Sequence, residues 1–203
     1  MSKQIINVIK ERRSVRKFTE DPIEKDILEE IILAGRYAPS ARNIQPWRFI
    51  VITNPSFIQE LSVQIKNEMK KVLKTRFLKK FSYPELKDEE MLKFLYAVAI
   101  SPKDIIFFDA PVLVFIVCEN GMFIDESCAC CAENMMLAAH TLGIGSCWIG
   151  FASMLGLNKE MLEKIGVPPN HHISAALIFG HPADTNNRPP MRKVHADVIK
   201  WIS

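Results

Sequence analysis

The sequence predicts one domain in which helices cover a buried β-sheet. Three runs rich in β-branched and aromatic residues support this, at residues 49–52, 110–118 and 173–180. The run at 110–118 has no polar side, so we expect a central strand covered on both faces. The 203 residues suffice for one domain with a substantial core, and we expect residues 1–203 to form a single unit.

Apolar residues at helical spacing predict the elements that cover this sheet. Helices are expected at about 5–12, 22–38, 57–81, 125–142 and 153–165. Asp21 or Thr19 is expected to cap the second helix, with Pro22 in its first turn. Gly143 is expected to close the helix over 125–142.

Composition excludes several classes of function. The hydrophobic content of 48% is ordinary for a globular protein, and a net charge of +3 is too small to indicate a nucleic-acid partner. No apolar run approaches the roughly 18 residues of a membrane span. Five cysteines, an odd number, without an apparent export signal favour reduced thiols and a cytoplasmic location.

A polar loop at residues 39–47 joins the second helix to the first strand. It offers backbone N–H groups at Ser40, Ala41 and Arg42, and the two amides of Asn43 and Gln45. Hydrogen-bond donors fixed next to the start of a buried strand suit a planar ligand with a polar edge. A plain helix-to-strand loop, whose amides cap backbone groups, explains the same residues equally well.

A basic segment at residues 12–18 is expected to be extended. Alternation puts Arg12, Ser14 and Arg16 on one side and Arg13 on the other. Two guanidinium groups that flank a hydroxyl suit a phosphate, because arginine binds phosphate through two parallel hydrogen bonds. A solvated basic edge is the alternative interpretation.

Two further regions have competing interpretations. Lysines and arginines over 66–80 predict a basic helix side, and residues 82–109 are expected to be irregular and to cover a pocket. A packed helical hairpin is the alternative for the second region.

The remaining motifs do not indicate a metal or a nucleophile. Gly143-x-Gly145 lacks the third glycine and the strand-to-helix context of a dinucleotide fingerprint. Cys128, Cys130 and Cys131 lack zinc-type pairing, so we interpret them as small apolar residues in the core and expect no metal site. The histidines show no ligand spacing.

Three segments together resemble the FMN-dependent nitroreductase family. They are residues 12–18 (RRSVRKF), 39–49 (PSARNIQPWRF) and 142–150 (LGIGSCWIG). The order and spacing of these segments, with a basic tail near Arg192, match the family over nearly the whole chain.

The resemblance implies an α+β fold, a mixed β-sheet surrounded by helices, in an intertwined homodimer. FMN would lie at the dimer interface, with residues 182–203 as a tail that packs on the partner subunit. The residues implied in FMN binding are Arg12, Arg13, Ser14, Arg16, Pro39, Ser40, Ala41, Asn43, Gln45, Ile149, Gly150 and Arg192. The family often has a second basic residue where this chain has Pro190, and Arg188 is a substitute.

The implied activity is an NAD(P)H-dependent reduction of a small acceptor such as a nitroaromatic or a quinone. Hydride would move through FMN N5 with ping-pong kinetics, so no catalytic side chain is expected. Two alternatives stay open. One is a specialised member of the family, such as a dehalogenase or a dehydrogenase, and the other is a non-catalytic module that binds an acidic partner through the basic side at 66–80.

Overall fold

The computed structural model describes residues 2–75, 87–184, 192 and 198–202. Its helices are α1 (Ser2–Glu11), α2 (Lys25–Arg36), α3 (Pro55–Lys74), α4 (Glu89–Ile100), α5 (Ile124–Thr141) and α6 (Lys159–Ile165). Its strands are β1 (Arg48–Ile52), β2 (Val112–Glu119), β3 (Gly145–Trp148) and β4 (His171–Gly180). Short 3-10 helices cover Ala41–Asn43 and Gly150–Leu157.

The four strands form one sheet in the order β1-β2-β4-β3, and each neighbouring pair is antiparallel. Parallel pairing in the described chain occurs at an isolated bridge between Ser14 and Ser146. The fold is α+β, as the resemblance to the nitroreductase family implies.

The central strand β2 is buried on both faces, which confirms the prediction for residues 110–118. Leu113 and Phe115 pack with α3, α4 and α6 in one core. Val114 and Ile116, on the opposite face, pack with α2 and α5 in a second core. Each fully buried side chain of this size stabilises the fold by roughly 1.5–3 kcal/mol, so the sheet is held from both sides.

The start of the second helix differs from the prediction. Helix α2 begins at Lys25, and Glu24 precedes it without a side-chain cap. The two predicted caps bind each other instead, because the Thr19 hydroxyl donates to Asp21 Oδ2 at 2.7 Å. Ile23 is buried in the core with α2 and α5, so the chain before the helix serves packing.

The predicted irregular region contains a regular helix. The N–H of Met91 donates to Asp88 Oδ1 at 2.8 Å and so caps α4. Leu95, Val98 and Ala99 of this helix are buried in the core shared with α3. The packed helical hairpin is therefore the better interpretation of the described part of 82–109. The sequence predicts that the helix beginning near residue 57 continues to residue 81. Its last part falls within residues 76–86, which lie outside the described part of the chain.

Lys66 does not belong to an exposed basic side. It is 8% exposed, and its ammonium group donates to the carbonyl oxygens of Ser101 and Lys103 at 3.1 and 2.6 Å. It therefore ties α3 to the chain that follows α4.

Among the described residues, no helix is both long enough and apolar enough to span a lipid bilayer.

Candidate functional site

The basic segment lies directly against β3. The N–H of Val15 donates to the carbonyl oxygen of Ser146 at 2.9 Å, next to the bridge between Ser14 and Ser146. A Cβ atom at Gly145 would lie 2.9 Å from Val15 Cβ, so only glycine permits this close approach. The structure thus brings two of the three motif segments together, residues 12–18 and residues 142–150.

The three arginines of this segment have different surroundings. Arg12 is half-buried, with Nε 3.4 Å from Glu133 Oε1. Arg13 donates from Nη1 to the carbonyl oxygens of Lys10 and Arg12, both at 2.6 Å. Arg16 is exposed and stacks over Phe108, with its guanidinium carbon 5.8 Å from the ring centroid.

The arginines also face different cavities. Arg13 lines a cavity of about 260 Å³ together with Gly145 and Ser146. Arg16 lines a separate cavity of about 640 Å³ beside Phe108. Different cavities for these two arginines agree with the predicted alternation, which puts Arg13 on the opposite side of the segment from Arg16.

Two polar atoms next to this segment are buried without a hydrogen-bond partner. They are Arg12 Nε and Ser146 Oγ, judged over the part of the chain that the structure describes. Buried polar groups in native proteins are nearly always paired, so unpaired ones call for an explanation. A ligand that carries a phosphate and hydroxyl groups, as FMN does, would supply both partners. Ser146 was not singled out by the sequence, although it lies inside the predicted Gly-Ser-Cys-Trp stretch.

The polar loop after α2 is strained. Arg42, Asn43 and Gln45 have φ of 53°, 58° and 47°, in the left-handed region that residues other than glycine rarely adopt. Such conformations cost roughly 1–3 kcal/mol each and gather at binding sites. Strain at three positions of one loop favours a binding role over a plain connection.

Hydrogen bonds within the loop hold this shape. Ser40 Oγ accepts the N–H of Gln45 at 3.0 Å, and the Gln45 amide donates to Asn43 Oδ1 at 3.2 Å. The N–H of Ala41, which was predicted to be free, donates to Ser127 Oγ at 3.4 Å. Pro39, Asn43 and Gln45 are exposed, so they are available to a ligand.

Within one chain the loop and the basic segment contact different parts of α5. Ala41 of the loop contacts Ser127 in the first turn. Arg12, at the start of the basic segment, lies against Glu133 near the middle of the helix, and Ser146, which binds Val15, follows the last turn. The rise of a helix puts Ser127 and Glu133 roughly 9 Å apart along the axis, so the loop and the segment approach the same helix at separate places.

The remaining predicted residues are placed as follows. Ile149 is 6% exposed, and its N–H donates to the carbonyl oxygen of Ala176 at 2.9 Å. Its side chain packs in the core, so the exposed surface at this point is Gly150. Arg192 is exposed, and Arg188 and Pro190 lie outside the described residues.

The cysteines divide between core and surface. Cys128 and Cys131 are fully buried, as predicted, whereas Cys130 is exposed on the other side of α5. Burial raises the pKa of the Cys131 thiol to about 12, and it also raises the pKa of Cys128. All five cysteines are free.

Comparison with known proteins identifies the family of this chain. The model of the nitroreductase family matches residues 9–181. A nitroreductase from Bacteroides fragilis, whose crystal structure contains bound FMN, is 30% identical with a TM-score of 0.78, and the match covers 98% of this chain and 99% of that one.

Curated relatives give the same result. A nitrobenzene nitroreductase from Ectopseudomonas oleovorans is 27% identical over 198 residues, 87% of this chain and 86% of that protein. A protein of Methanothermobacter thermautotrophicus, provisionally named NADH dehydrogenase/NAD(P)H nitroreductase, is 25% identical over 186 residues, 89% of this chain and 78% of that protein. Because the family model spans most of the sequence and the fold agrees, this chain belongs to the nitroreductase family.

Proposed function

We propose that this protein is a cytoplasmic, homodimeric flavoprotein that binds FMN and uses NAD(P)H to reduce a small acceptor, such as a nitroaromatic or a quinone. Membership of the nitroreductase family supports an oxidoreductase. The Bacteroides fragilis structure supports FMN as the cofactor. The name of the Methanothermobacter relative supports a nicotinamide co-substrate.

One observation carries the proposal. The basic segment packs on Gly145 and Ser146, and this junction leaves Ser146 Oγ and Arg12 Nε buried without a hydrogen-bond partner in the described chain, although Arg12 Nε lies 3.4 Å from Glu133 Oε1. A phosphate satisfies a guanidinium, and ribityl hydroxyls satisfy a serine. The residues present therefore fit FMN.

Each part of the chain has a proposed role toward the cofactor. Arg12, Arg13, Ser14 and Arg16 would hold the phosphate and the ribityl chain, assisted by Arg192. The loop residues Pro39, Ser40, Ala41, Asn43 and Gln45 would approach the ring from the partner subunit, and the backbone at Ile149 and Gly150 would border it. FMN, when bound, supplies hydride acceptance and donation, so this chain's residues need only bind, orient and exclude water.

Exposed apolar surface supports the proposed dimer. The loop and the basic segment contact α5 at separate places within one chain, which is compatible with a site completed by a second copy. Ile5, Ile6 and Ile9 of α1 are exposed, and Ile5, Val8 and Ile9 line a cavity of about 640 Å³ against α5. In the tail, Ile199, Trp201 and Ile202 are at least 85% exposed. Exposed apolar surface of this extent favours burial against a partner subunit.

The proposed reaction uses one pocket for both substrates in turn. The nicotinamide would leave before the acceptor enters, which gives ping-pong kinetics. Initial rates measured against both substrates should produce parallel reciprocal plots. Intersecting plots would contradict the single shared pocket.

Removal of Arg12 or Arg16 should weaken FMN retention. Charge-assisted hydrogen bonds contribute roughly 1.5–3 kcal/mol each, so each alanine variant should raise the Kd for FMN by about 10- to 150-fold. Fluorescence titration of flavin-free protein measures this change. Lys25→Ala is a matched control, because Lys25 is an exposed cation paired with Glu29 on α2. An Arg12→Ala or Arg16→Ala variant that binds FMN as tightly as the Lys25→Ala control would contradict the phosphate assignment.

The non-catalytic alternative has less support. It depends on a continuous basic side at 66–80, and the burial of Lys66 removes one cation from that side.

A further inference from the structure

A second polar cluster lies where three elements meet. Cys118 is near the end of β2, Asp125 is in the first turn of α5, and His172 is near the start of β4. The Cys118 sulfur is 3.9 Å from Asp125 Oδ1 and 3.8 Å from His172 Nε2, and the latter two atoms are 2.8 Å apart. Ser174 donates its hydroxyl to the same Asp125 oxygen at 2.6 Å.

The geometry of this cluster suits a tetrahedral metal ion. Zinc binds thiolate sulfur at about 2.3 Å and imidazole nitrogen or carboxylate oxygen at about 2.0–2.2 Å, which separates its ligand atoms by roughly 3.2–3.6 Å. The observed separations of 2.8–3.9 Å bracket that range. Side-chain shifts of a few tenths of an ångström would complete the arrangement.

The donor set selects the type of ion. Sulfur, nitrogen and oxygen together suit Zn²⁺, whereas Mg²⁺ and Ca²⁺ prefer oxygen alone. The three residues also differ in burial in a way that suits an ion entering from solvent. Cys118 is fully buried, His172 is half-buried, and Asp125 is exposed to solvent.

An ordinary structural interpretation also exists. Asp125 and His172 form a hydrogen-bonded pair that covers a buried cysteine. Partial burial acts to raise the pKa of Asp125, but hydrogen bonds from Ser174 and His172 and the charge of His172 outweigh it, so the pKa is lowered. An ionised carboxylate is the form that binds a metal ion.

We propose that Cys118, Asp125 and His172 form a binding site for one Zn²⁺ ion, with water as the fourth ligand. As the sulfur–zinc bond forms, the Cys118 thiol loses its proton to solvent. The ion would join β2, α5 and β4 at one point. This proposal departs from the sequence-based expectation of no metal site, because residues 118, 125 and 172 are distant in the sequence and share no ligand spacing.

Zinc titration tests the proposal. The protein is first treated with a chelator, and the chelator is then removed. This metal-free protein is titrated with ZnCl₂ in competition with a chromophoric zinc indicator. One equivalent should bind, and Asp125→Asn and His172→Gln should each lower the affinity at least tenfold. His171→Gln is the matched control, since this adjacent histidine contacts the Pro169 carbonyl oxygen instead. Absence of stoichiometric uptake, or equal affinity in His171→Gln and His172→Gln, would overturn the site.

Cobalt substitution tests the sulfur ligand. Co²⁺ in the same site should give a thiolate-to-cobalt charge-transfer band in the near ultraviolet, which Cys118→Ser should abolish and Cys130→Ser should retain. Loss of the band in Cys130→Ser would assign binding to the surface thiol and overturn the proposal.

Circular dichroism checks that each variant is folded. If the buried Cys118→Ser change unfolds the chain, the more exposed Asp125→Asn and His172→Gln variants still decide the outcome. These measurements do not depend on FMN, so they are independent of the proposed oxidoreductase activity.

Discussion

At the scale of single residues, Ser146 distinguishes a binding role from a structural one. Its hydroxyl is buried, and it has no hydrogen-bond partner among the described residues. An unsatisfied buried hydroxyl costs free energy in the folded protein, so selection for stability alone does not explain it. Arg12 Nε on the neighbouring segment also lacks a hydrogen-bond partner, although it lies 3.4 Å from Glu133 Oε1.

Ser146→Ala should therefore weaken FMN binding without lowering the stability of the protein. Without FMN, the free energy of unfolding should stay the same or rise, because an unpaired buried hydroxyl is removed. The Kd for FMN should rise by about 2- to 12-fold, which corresponds to a lost hydrogen bond of about 0.5–1.5 kcal/mol. Urea unfolding of flavin-free protein and fluorescence titration with FMN measure the two quantities.

Ser62→Ala is the control for this prediction. Ser62 is also buried, but its hydroxyl donates to the buried Asp104 Oδ1 at 2.6 Å. Its loss should destabilise the protein by about 1–3 kcal/mol and leave FMN binding unchanged. If Ser146→Ala were as destabilising as Ser62→Ala, the hydroxyl would have a structural partner and the binding argument would fail.

At the scale of elements, local patterns predicted the strongly periodic parts of the fold. The apolar run of β2 and the helix over 125–142 are where the sequence predicts them. Strand β3 was missed, because four residues give no usable periodicity and its pairing with β4 is non-local. Helix α4 was predicted only as part of the alternative interpretation, because its apolar patch lies beside charged residues and its burial depends on contact with α3.

The candidate site was also predictable only where it depends on local sequence patterns. The basic segment and the polar loop follow from residue types in short stretches. Ser146 and Ser127 did not stand out, because their importance depends on contacts with residues far along the chain. The cluster of Cys118, Asp125 and His172 has the same origin, since three different elements supply its members.

The contact between the basic segment and β3 gives a prediction at this scale. Gly145→Ala should force the segment away from the strand, because the new Cβ would lie 2.9 Å from Val15 Cβ and Cγ1. Overpacking of this kind costs about 1–3 kcal/mol in stability. We also expect weaker FMN binding, since Arg12 and Ser14 would shift with the segment.

Gly156→Ala is the matched control, since a Cβ there meets no atom within 4 Å. Thermal unfolding and FMN titration of both variants check the prediction. Equal stability and equal FMN affinity in the two variants would show that the close approach of Val15 is unimportant.

At the scale of the whole molecule, the proposed FMN site has two parts that contact α5 at separate places. The loop at 39–45 contacts the first turn, whereas the basic segment contacts Glu133 through Arg12 and binds Ser146 beyond the last turn. In the proposed dimer, each subunit contributes one of these parts to each site. Both the proposed cofactor binding and the exposed apolar face of α1 then have one explanation.

Charged residues introduced on the exposed apolar face of α1 should separate the subunits of the proposed dimer. The double variant Ile5→Asp, Ile9→Asp should sediment as a monomer at concentrations where the unaltered protein has twice the mass of one chain, because two buried carboxylates would be costly. It should also retain less FMN. Val63→Asp is the control, since Val63 is exposed on α3, on the opposite side of the sheet. An unaltered protein that sediments as a monomer while it holds FMN would contradict the two-subunit site.

The most direct test of the central claim is the visible absorption spectrum of freshly purified protein, before and after anaerobic addition of NADPH or NADH. We expect a yellow protein whose flavin absorption bleaches on addition, because FMN is bound and accessible to the nicotinamide. A colourless protein that also fails to take up added FMN would contradict the account.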